Sequence, residues 1–378
     1  MRKVTILQYR LFHYRLELFE RLRVLCSQKG IELNVVYGQA FGKEKLKNDV
    51  GDLQWGRRVE NRYFPVKEKK DLCWQPMPED LKDSELVVFM QENRLLSNYY
   101  WMLKRCVGGP KVAYWGHGRD FQSNAVGGVR ERWKRFFINQ VDWWFAYTQM
   151  TVEHISEAGF PKDRITCLNN AIDTAGLRRD VEGASEAMVG QIASDCDIRP
   201  GAPVGLFCGS LYPDKRLGLL VDSSDIIHDR FPDFRLIVIG DGQSAPFIKE
   251  AAMSRPWMQW VGVKRGAEKA AYFKVASFVM NPGAVGLHVL DAFAASLPMI
   301  STRDAKHGPE VAYLVHDENG LLTENDPEAY ADAIASMILD RDFYLRLATN
   351  ARLRGDDYTV DAMARNFADG IERCIAKQ

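Results

Sequence analysis

The chain has 378 residues, of which 46% are apolar, and this length predicts two α/β domains of roughly 170 residues each. Lys and Arg together number 50, as do Asp and Glu, so no overall positive field indicates nucleic acid as a partner. No apolar run in the sequence reaches the roughly 18 to 20 residues that span a bilayer. Any membrane contact is therefore expected to be peripheral.

The seven cysteines are scattered along the chain. They form no Cys-x-x-Cys pair and have no histidine cluster beside them, which argues against zinc and against a disulfide framework. We therefore expect a reduced, cytoplasmic protein. The first apolar run is soon interrupted by Arg10, Arg15 and Glu17, which indicates a first strand rather than a signal peptide.

Strands and helices alternate in the N-terminal half of the chain. Apolar runs predict strands at 4–7, 31–37, 86–90, 111–115, 143–147 and 165–168. The intervening segments predict helices from Leu16 onward and at 97–107, 129–140 and 152–159. This alternation is typical of a parallel, doubly wound sheet.

A second series of the same kind follows a polar, weakly periodic stretch at 177–200, which predicts a linker or a peripheral helix. Strands are expected at 204–208, 234–239, 258–261, 277–280 and 298–301. Helices are expected at 217–230, 244–253, 268–275, 287–296, 327–339 and 360–376. Two tandem sheets of this type leave a cleft, and ligands bind beyond the carboxyl ends of the strands.

The turn from Pro282 to Gly286 has almost no side-chain bulk and joins a predicted strand to a predicted helix. Backbone N–H groups at such a helix start can approach an anionic ligand closely. Asp291 lies about one turn into the helix, where its carboxylate could reach a ribose diol. A plain strand-to-helix turn of any α/β domain is the alternative interpretation.

Four segments of the C-terminal half together resemble the retaining GT-B glycosyltransferases of family 4, which include many bacterial surface-polysaccharide enzymes. These segments are 207–217, 236–242, 260–262 and 278–300. The N-terminal half is similar to the same family at 14–15, 114–118, 145–148 and 170–173. The resemblance therefore covers nearly the whole chain.

The resemblance implies an α/β fold of the GT-B type, with two doubly wound, Rossmann-like domains facing a cleft. Residues 1–176, with a returning C-terminal helix at 357–378, would form the acceptor domain. Residues 177–200 would form the linker and 201–356 the nucleotide-sugar donor domain. The implied activity is retaining transfer of a sugar from a nucleoside-diphosphate sugar to a glycan or lipid-linked acceptor in polysaccharide biosynthesis.

The resemblance also implies the residues of the site. The catalytic residues would be His117 and Lys215. The donor diphosphate would be bound by Gly209, Ser210, Lys215, Arg216, Ala284, Val285, Gly286 and Leu287. The nucleoside would be bound by Gly240, Val261, Gly262 and Asp291. Further candidates facing the cleft are Tyr14, Arg15, Gly116, Gly118, Asn170, Gly283 and Glu310. No cofactor or metal is expected, because no Asp-x-Asp follows a strand in a suitable position.

The sequence departs from the family pattern at the E-x7-E motif. Gly283 replaces the first acid, which in the family usually contacts the donor sugar, and Asp291 replaces the second. Ser210 stands where many relatives have arginine. The sugar contact must therefore come from the amides of 284–287, from another residue, or not at all.

Several candidates have a structural alternative. Lys215 could be a solvated turn residue, His117 a turn histidine, and His288 a packed or surface histidine. Glu310 could complement a helix dipole or serve as a donor-side carboxylate.

A basic segment could contact an anionic membrane or could be core. It comprises Arg130, Arg132, Trp133, Lys134, Arg135, Phe136 and Phe137. A non-catalytic nucleotide-sugar-binding or scaffold protein, or a nucleotide-sugar epimerase, remains an alternative to a transferase. An oxidoreductase is disfavoured, because no G-x-G-x-x-G follows the first strand of either half.

Overall fold

The structure is a computed structural model that describes residues 1–42, 50–66, 71–118 and 136–377. The chain divides into two compact units. The first comprises Met1–Ile172 with Val360–Gln378, and the second comprises Asp173–Thr359. The basic segment of 130–135, for which we considered a membrane role, lies outside the described residues.

The first unit contains a seven-stranded parallel sheet. Its strands lie in the order β3-β2-β1-β6-β7-β8-β9. They are β1 (Arg2–Gln8), β2 (Ile31–Tyr37), β3 (Arg57–Arg58), β6 (Leu86–Met90), β7 (Lys111–Gly116), β8 (Trp143–Ala146) and β9 (Ile165–Cys167). A separate antiparallel pair, which the sequence pattern did not predict, consists of β4 (Arg62–Phe64) and β5 (Leu72–Trp74).

Helices cover this sheet because its strands are apolar on both faces. The described helices of the unit are α1 (Leu16–Gln28), α2 (Leu96–Cys106), α3 (Gln149–Glu157) and α12 (Val360–Ala376). Phe367 of α12 packs against the rings of Trp115 and Phe145, with centroids 5.1 and 4.4 Å away. Lys29, at the end of α1, makes ion pairs of 3.0 Å with Asp369 and 2.6 Å with Glu372. The last helix of the chain is therefore an integral layer of the first unit.

The second unit contains a six-stranded parallel sheet in the order β12-β11-β10-β13-β14-β15. Its strands are β10 (Val204–Cys208), β11 (Arg235–Ile239), β12 (Met258–Gly262), β13 (Phe278–Met280), β14 (Met299–Thr302) and β15 (Gly320–Thr323). Its helices include α4 (Thr174–Glu182), α5 (Glu186–Asp195), α6 (Leu217–Arg230), α7 (Ala245–Met253), α8 (Gly266–Val275), α9 (Val289–Ala294), α10 (Pro327–Leu339) and α11 (Arg341–Asp357).

The stretch of 177–200, for which the sequence predicted a linker or a peripheral helix, is largely helical and belongs to the second unit. The reason is that its polar sequence contains three apolar side chains, those of Val181, Ile192 and Cys196, that are buried. Asp173 and Ser185 cap the two helices by accepting hydrogen bonds from the backbone amides three residues ahead. No helix in the described ranges is both long and apolar enough to cross a membrane.

Candidate functional site

The candidate phosphate turn lies where two neighbouring strands of the second sheet end. Strands β10 and β13 pair in parallel, so the loops that follow Cys208 and Met280 emerge at the same edge. The amide of Ala284 donates to the carbonyl of Asp214 over 3.0 Å. The two loops are therefore joined through their backbones.

Gly283 lies very close to the backbone of the loop that follows Cys208. A Cβ at this position would lie 2.3 Å from the carbonyl oxygen of Asp214 and 2.3 Å from the carbonyl carbon of Lys215. Both are backbone atoms, so they cannot move aside as a flexible side chain would. A glutamate at Gly283, as in the family motif, would therefore require the loops to separate.

Lys215 is held at this turn through its amino group. Its Nζ donates a hydrogen bond to the carbonyl oxygen of Ala284. Burial lowers the pKa of Lys215 to about 8, although the nearby carboxylate of Asp214 acts in the opposite direction. An amine with this pKa and no ion-pair partner in the described part of the chain is well suited to meet an incoming anion.

The four predicted phosphate-binding amides differ in availability. The amide of Ala284 is bonded to Asp214, and that of Val285 donates to Nδ1 of His307 over 3.1 Å. The amides of Gly286 and Leu287 have no acceptor within the described ranges. Only this second pair is ready to bind a ligand without rearrangement.

Arg216 is already committed to protein partners. Its Nη1 donates to Oγ1 of Thr302 over 2.7 Å and to Oδ1 of Asp304 over 2.5 Å. Its backbone is left-handed, with φ of 53°, at the start of α6. The structure therefore favours Lys215 over Arg216 as the cation available to a phosphate, while Ser210 lies exposed in the loop before them.

Two histidines adjoin the turn in their neutral form. His307 accepts from Val285, and its Nε2 lies 2.7 Å from the carbonyl oxygen of Thr302. Burial lowers the pKa of His307, and burial together with the charges of Lys215 and Lys269 holds the pKa of His288 well below its ordinary range. Nε2 of His288 is buried without a hydrogen-bond partner among the described residues.

Three of the predicted nucleoside-side residues form the neighbouring strand ends. The amide of Gly240 donates to the carbonyl of Gly262 over 2.8 Å, and Nε1 of Trp260 donates to the carbonyl of Gly240 over 3.0 Å. A Cβ on Gly240 would lie 1.8 Å from the carbonyl oxygen of Gly209, and φ of Gly240 is 141°. Glycine is thus required at Gly240, while Val261 is half-buried beside it.

Asp291, the fourth predicted nucleoside-side residue, forms an ion pair that the sequence did not predict. Oδ2 of Asp291 accepts from Nζ of Lys269, on α8, over 2.8 Å. Burial alone would lower the pKa of Lys269, but the charges of Asp291 and the influence of Cys208 leave it raised. The only sequence signal for this pair was a lysine that directly precedes two alanines, Ala270 and Ala271.

Glu310 is buried on the short helix Pro309–Tyr313. A Cβ on Gly308 would meet Oε2 of Glu310 at 2.7 Å and Cα of Gly286 at 3.8 Å. The carboxyl group therefore lies next to Gly308, which in turn adjoins the phosphate turn.

The remaining candidates come together in the first unit. The exposed ring of His117 follows β7 and packs edge-on against Tyr147, with centroids 4.3 Å apart. The buried guanidinium of Arg15 donates from Nη2 to Oδ1 of Asn170 over 2.6 Å. It also lies 5.2 Å from the ring centroid of Tyr14.

The two glycines beside His117 are both constrained. A Cβ on Gly116 would lie 2.9 Å from Cβ of Gln91, and Gly118 has a φ of 70°. Nε2 of Gln91 donates to the carbonyl of Gly118 over 3.1 Å. The turn that contains His117 is therefore fixed on both sides.

Within the described residues, no group of three or more His, Cys, Asp or Glu side chains is arranged to hold a metal.

The whole-chain fold is that of GT-B glycosyltransferases, with two Rossmann-like parallel sheets. The chain superimposes on HepE from Anabaena, in complex with UDP and glucose, with a TM-score of 0.68 at 13% identity, covering 98% of this chain and 100% of that one. A glycosyltransferase from Rickettsia africae gives a TM-score of 0.70 at 13% identity, covering 100% of this chain and 99% of that one. The predicted fold class is confirmed.

Sequence comparison agrees with this class. Residues 202–340 match the family model "Glycosyl transferases group 1". An uncharacterized glycosyltransferase of Haemophilus influenzae is 26% identical over 168 residues, which are 43% of this chain and 47% of that protein. The alpha-monoglucosyldiacylglycerol synthase of Acholeplasma laidlawii is 24% identical over 175 residues, 45% of this chain and 43% of that protein. The chain thus spans about half the length of the curated relatives it matches.

The contact at Gly283 gives a prediction with an internal control. Gly283→Ala should lower the free energy of unfolding by about 1 to 3 kcal/mol, because the added methyl group meets fixed backbone. Gly286→Ala should leave it nearly unchanged, since no atom lies within 4 Å of a Cβ at that position. Urea unfolding of both variants measures the difference, and equal stabilities would contradict the close contact.

Proposed function

We propose that this chain is a retaining glycosyltransferase of family 4. It transfers a hexosyl group from a nucleoside-diphosphate sugar to a glycan or lipid-linked acceptor in polysaccharide biosynthesis. The observation that carries the proposal is the turn of 283–287, which is contacted by the partly buried Lys215 and has two amides without an acceptor among the described residues. The family model over 202–340 and the glycosyltransferase relatives support it.

The chemistry of this transfer fits the groups at the turn. When the sugar leaves, negative charge grows on the departing diphosphate and positive character grows at the anomeric carbon. Lys215 and the amides of Gly286 and Leu287 would stabilise the diphosphate, at roughly a few kcal/mol for each well-placed donor. These groups could supply the charge that a metal ion supplies elsewhere, and we propose a metal-independent reaction.

The sugar itself needs other contacts, because Gly283 provides no carboxylate. We propose that His117 of the first unit hydrogen-bonds the donor sugar and that Glu310 of the second unit contributes a carboxylate to the donor side. His117 is suited to this role because its ring is exposed and its orientation is fixed by Tyr147. Arg15 and Asn170, which are linked by a hydrogen bond, would shape the same edge of the first sheet.

We propose a cytoplasmic location with peripheral contact at the inner membrane face, where a lipid-linked acceptor would reside. Leu103 on α2 and Val107, which follows the last residue of α2, are exposed, as is Phe136. The ring of Phe137 connects Phe136 to α2, because its centroid lies 5.2 Å from that of Phe136 and 5.2 Å from that of Tyr99 on α2. Co-sedimentation with anionic vesicles tests this contact, and protein that stays wholly in the supernatant would contradict it.

The donor site is tested by thermal unfolding with UDP, GDP, ADP, CMP and their common sugar conjugates, with NAD included. A ligand at about 100 times its dissociation constant adds roughly 2.7 kcal/mol, which raises Tm by a few degrees. We expect one nucleoside diphosphate to raise Tm for the wild type and for Lys249→Ala, an exposed-lysine control, but not for Lys215→Ala. A shift with NAD alone would refute the proposal.

The lowered pKa of Lys215 predicts how binding depends on pH. A diphosphate favours the protonated amine, so above pH 8, where the free amine is neutral, binding must take up a proton. The affinity should fall above pH 8 by up to about tenfold per pH unit in the wild type. Calorimetric titrations across this range test it, and an equally steep fall in Lys215→Ala would assign the effect to another group.

The unliganded protein should show the opposite dependence on pH. The pKa of Lys215 is about 8 in the folded chain, against an ordinary value of 10.5. Between these values the unfolded chain binds the proton and the folded chain does not, so the contribution of Lys215 to stability rises with pH. A general loss of structure at high pH would lower both the affinity for the nucleotide and the stability of the unliganded protein. The opposite directions expected here therefore distinguish proton linkage at Lys215 from such a loss.

Catalysis is tested by release of the nucleoside diphosphate from the donor sugar selected by the thermal panel, with water as the acceptor. His117→Ala should slow release by about tenfold or more through loss of one hydrogen bond to the sugar, while leaving nucleoside-diphosphate binding unchanged. His316→Ala serves as the control, because His316 precedes β15 and bonds to the amide of Leu322 in that strand. It should release the nucleoside diphosphate at the rate of the wild type.

Two other outcomes of that assay favour the alternative functions. Binding without any turnover by the wild type, with or without added glycan acceptors, would indicate a scaffold protein. Conversion of the donor to its epimer without release of the diphosphate would indicate an epimerase.

A further inference from the structure

The ion pair of Lys269 and Asp291 connects helices α8 and α9 close to the phosphate turn. The two side chains are only 22% and 14% exposed, and Nζ lies 2.8 Å from Oδ2. They come from positions 22 residues apart, so no local helix spacing accounts for the pair. Both groups have been removed from most of their water.

Packing alone does not explain a lysine at this position. The neighbouring residues Ala270, Ala271 and Phe273 are buried and apolar. A buried ion pair loses so much hydration that apolar residues of similar size often stabilise a fold equally well or better. An apolar residue at Lys269 together with a neutral one at Asp291 would therefore satisfy the fold.

The two oxygens of the Asp291 carboxylate differ in their hydrogen bonds. Lys269 binds Oδ2 of Asp291. Oδ1 accepts from no donor in the parts of the chain that the structure describes. Since one oxygen is fixed by the lysine, rotation of the carboxylate is restricted and a single acceptor has a defined direction.

We propose that Lys269 is a positioning residue that makes the site select ribose over deoxyribose. It fixes Asp291 through Oδ2, so that Oδ1 accepts a hydrogen bond from one ribose hydroxyl of the nucleoside diphosphate. The inference rests on the proposed function, because it requires a nucleoside diphosphate on the adjacent turn. A nucleotide that lacks this hydroxyl leaves a mostly buried carboxylate oxygen without a partner.

The test compares dissociation constants for UDP, ADP and GDP with those for their 2′-deoxy and 3′-deoxy analogues. A hydrogen bond to a charged group contributes enough for the wild type to prefer the ribonucleotide by about tenfold or more over one of the analogues. Lys269→Met should reduce that ratio to about threefold or less, because the carboxylate loses its fixed orientation. Lys269→Arg, which keeps a charged donor, should restore part of it.

Lys274→Met is the matched control, since Lys274 lies on the same helix but is exposed. It should keep the ribose preference of the wild type. If Lys269→Met does not fold, Lys269→Gln replaces it, and its shorter, uncharged side chain should still lower the ribose preference of the wild type. A merely structural role would weaken all nucleotides equally and would leave the ratio unchanged.

The outcomes separate this inference from the proposed function. A wild type that binds a nucleoside diphosphate without preferring ribose, or a Lys269→Met variant that keeps the full preference, would overturn the role of Lys269 alone. A wild type that binds none of the nucleotides would overturn the proposed function, and this inference with it.

Discussion

The close contact between Gly283 and the backbone of Asp214 and Lys215 determines the rest of the candidate donor site. It exists because β10 and β13 are parallel neighbours, so their following loops meet at one edge. The contact brings the amino group of Lys215 to the carbonyl of Ala284. The amide of Ala284 is bonded to Asp214 at this contact and that of Val285 to His307, while those of Gly286 and Leu287 have no acceptor among the described residues.

The same contact accounts for the departure from the family's acidic motif. A side chain at Gly283 would collide with backbone atoms, so the missing acid and the close packing of these two loops go together. The turn consequently has cationic and amide donors without a carboxylate of its own. This composition is better suited to a diphosphate than to the sugar that the diphosphate carries, and for that reason we propose His117 and Glu310 for the sugar contact.

The sequence predicted the fold well, because the alternation of strands and helices is a local pattern. Strands such as Leu86–Met90 and Val204–Cys208 lie where their apolar runs begin and end. For the helices at 174–182 and 186–195 the sequence predicted either a linker or a peripheral helix, since the stretch is polar and weakly periodic. The short strand β15 was not predicted.

Side-chain partners in the site were less predictable than the turn itself. The bulk-free segment before Asp291 was visible in the sequence, whereas the pairing of Arg216 with Asp304 joins residues 88 positions apart. The pairing of Lys269 with Asp291 likewise depends on how two helices pack. Such contacts are fixed by tertiary structure. A local sequence pattern therefore could not show that Arg216 is paired with Asp304 or that Lys269 is paired with Asp291.

The most direct test is a crystal structure of the chain with the nucleoside diphosphate that stabilises it, grown near pH 7. We expect phosphate oxygens within about 3 Å of the amides of Gly286 and Leu287 and of Nζ of Lys215, with Lys215 released from the carbonyl of Ala284. A diphosphate bound elsewhere, with Lys215 still bonded to Ala284, would contradict the assignment of this turn as the donor site.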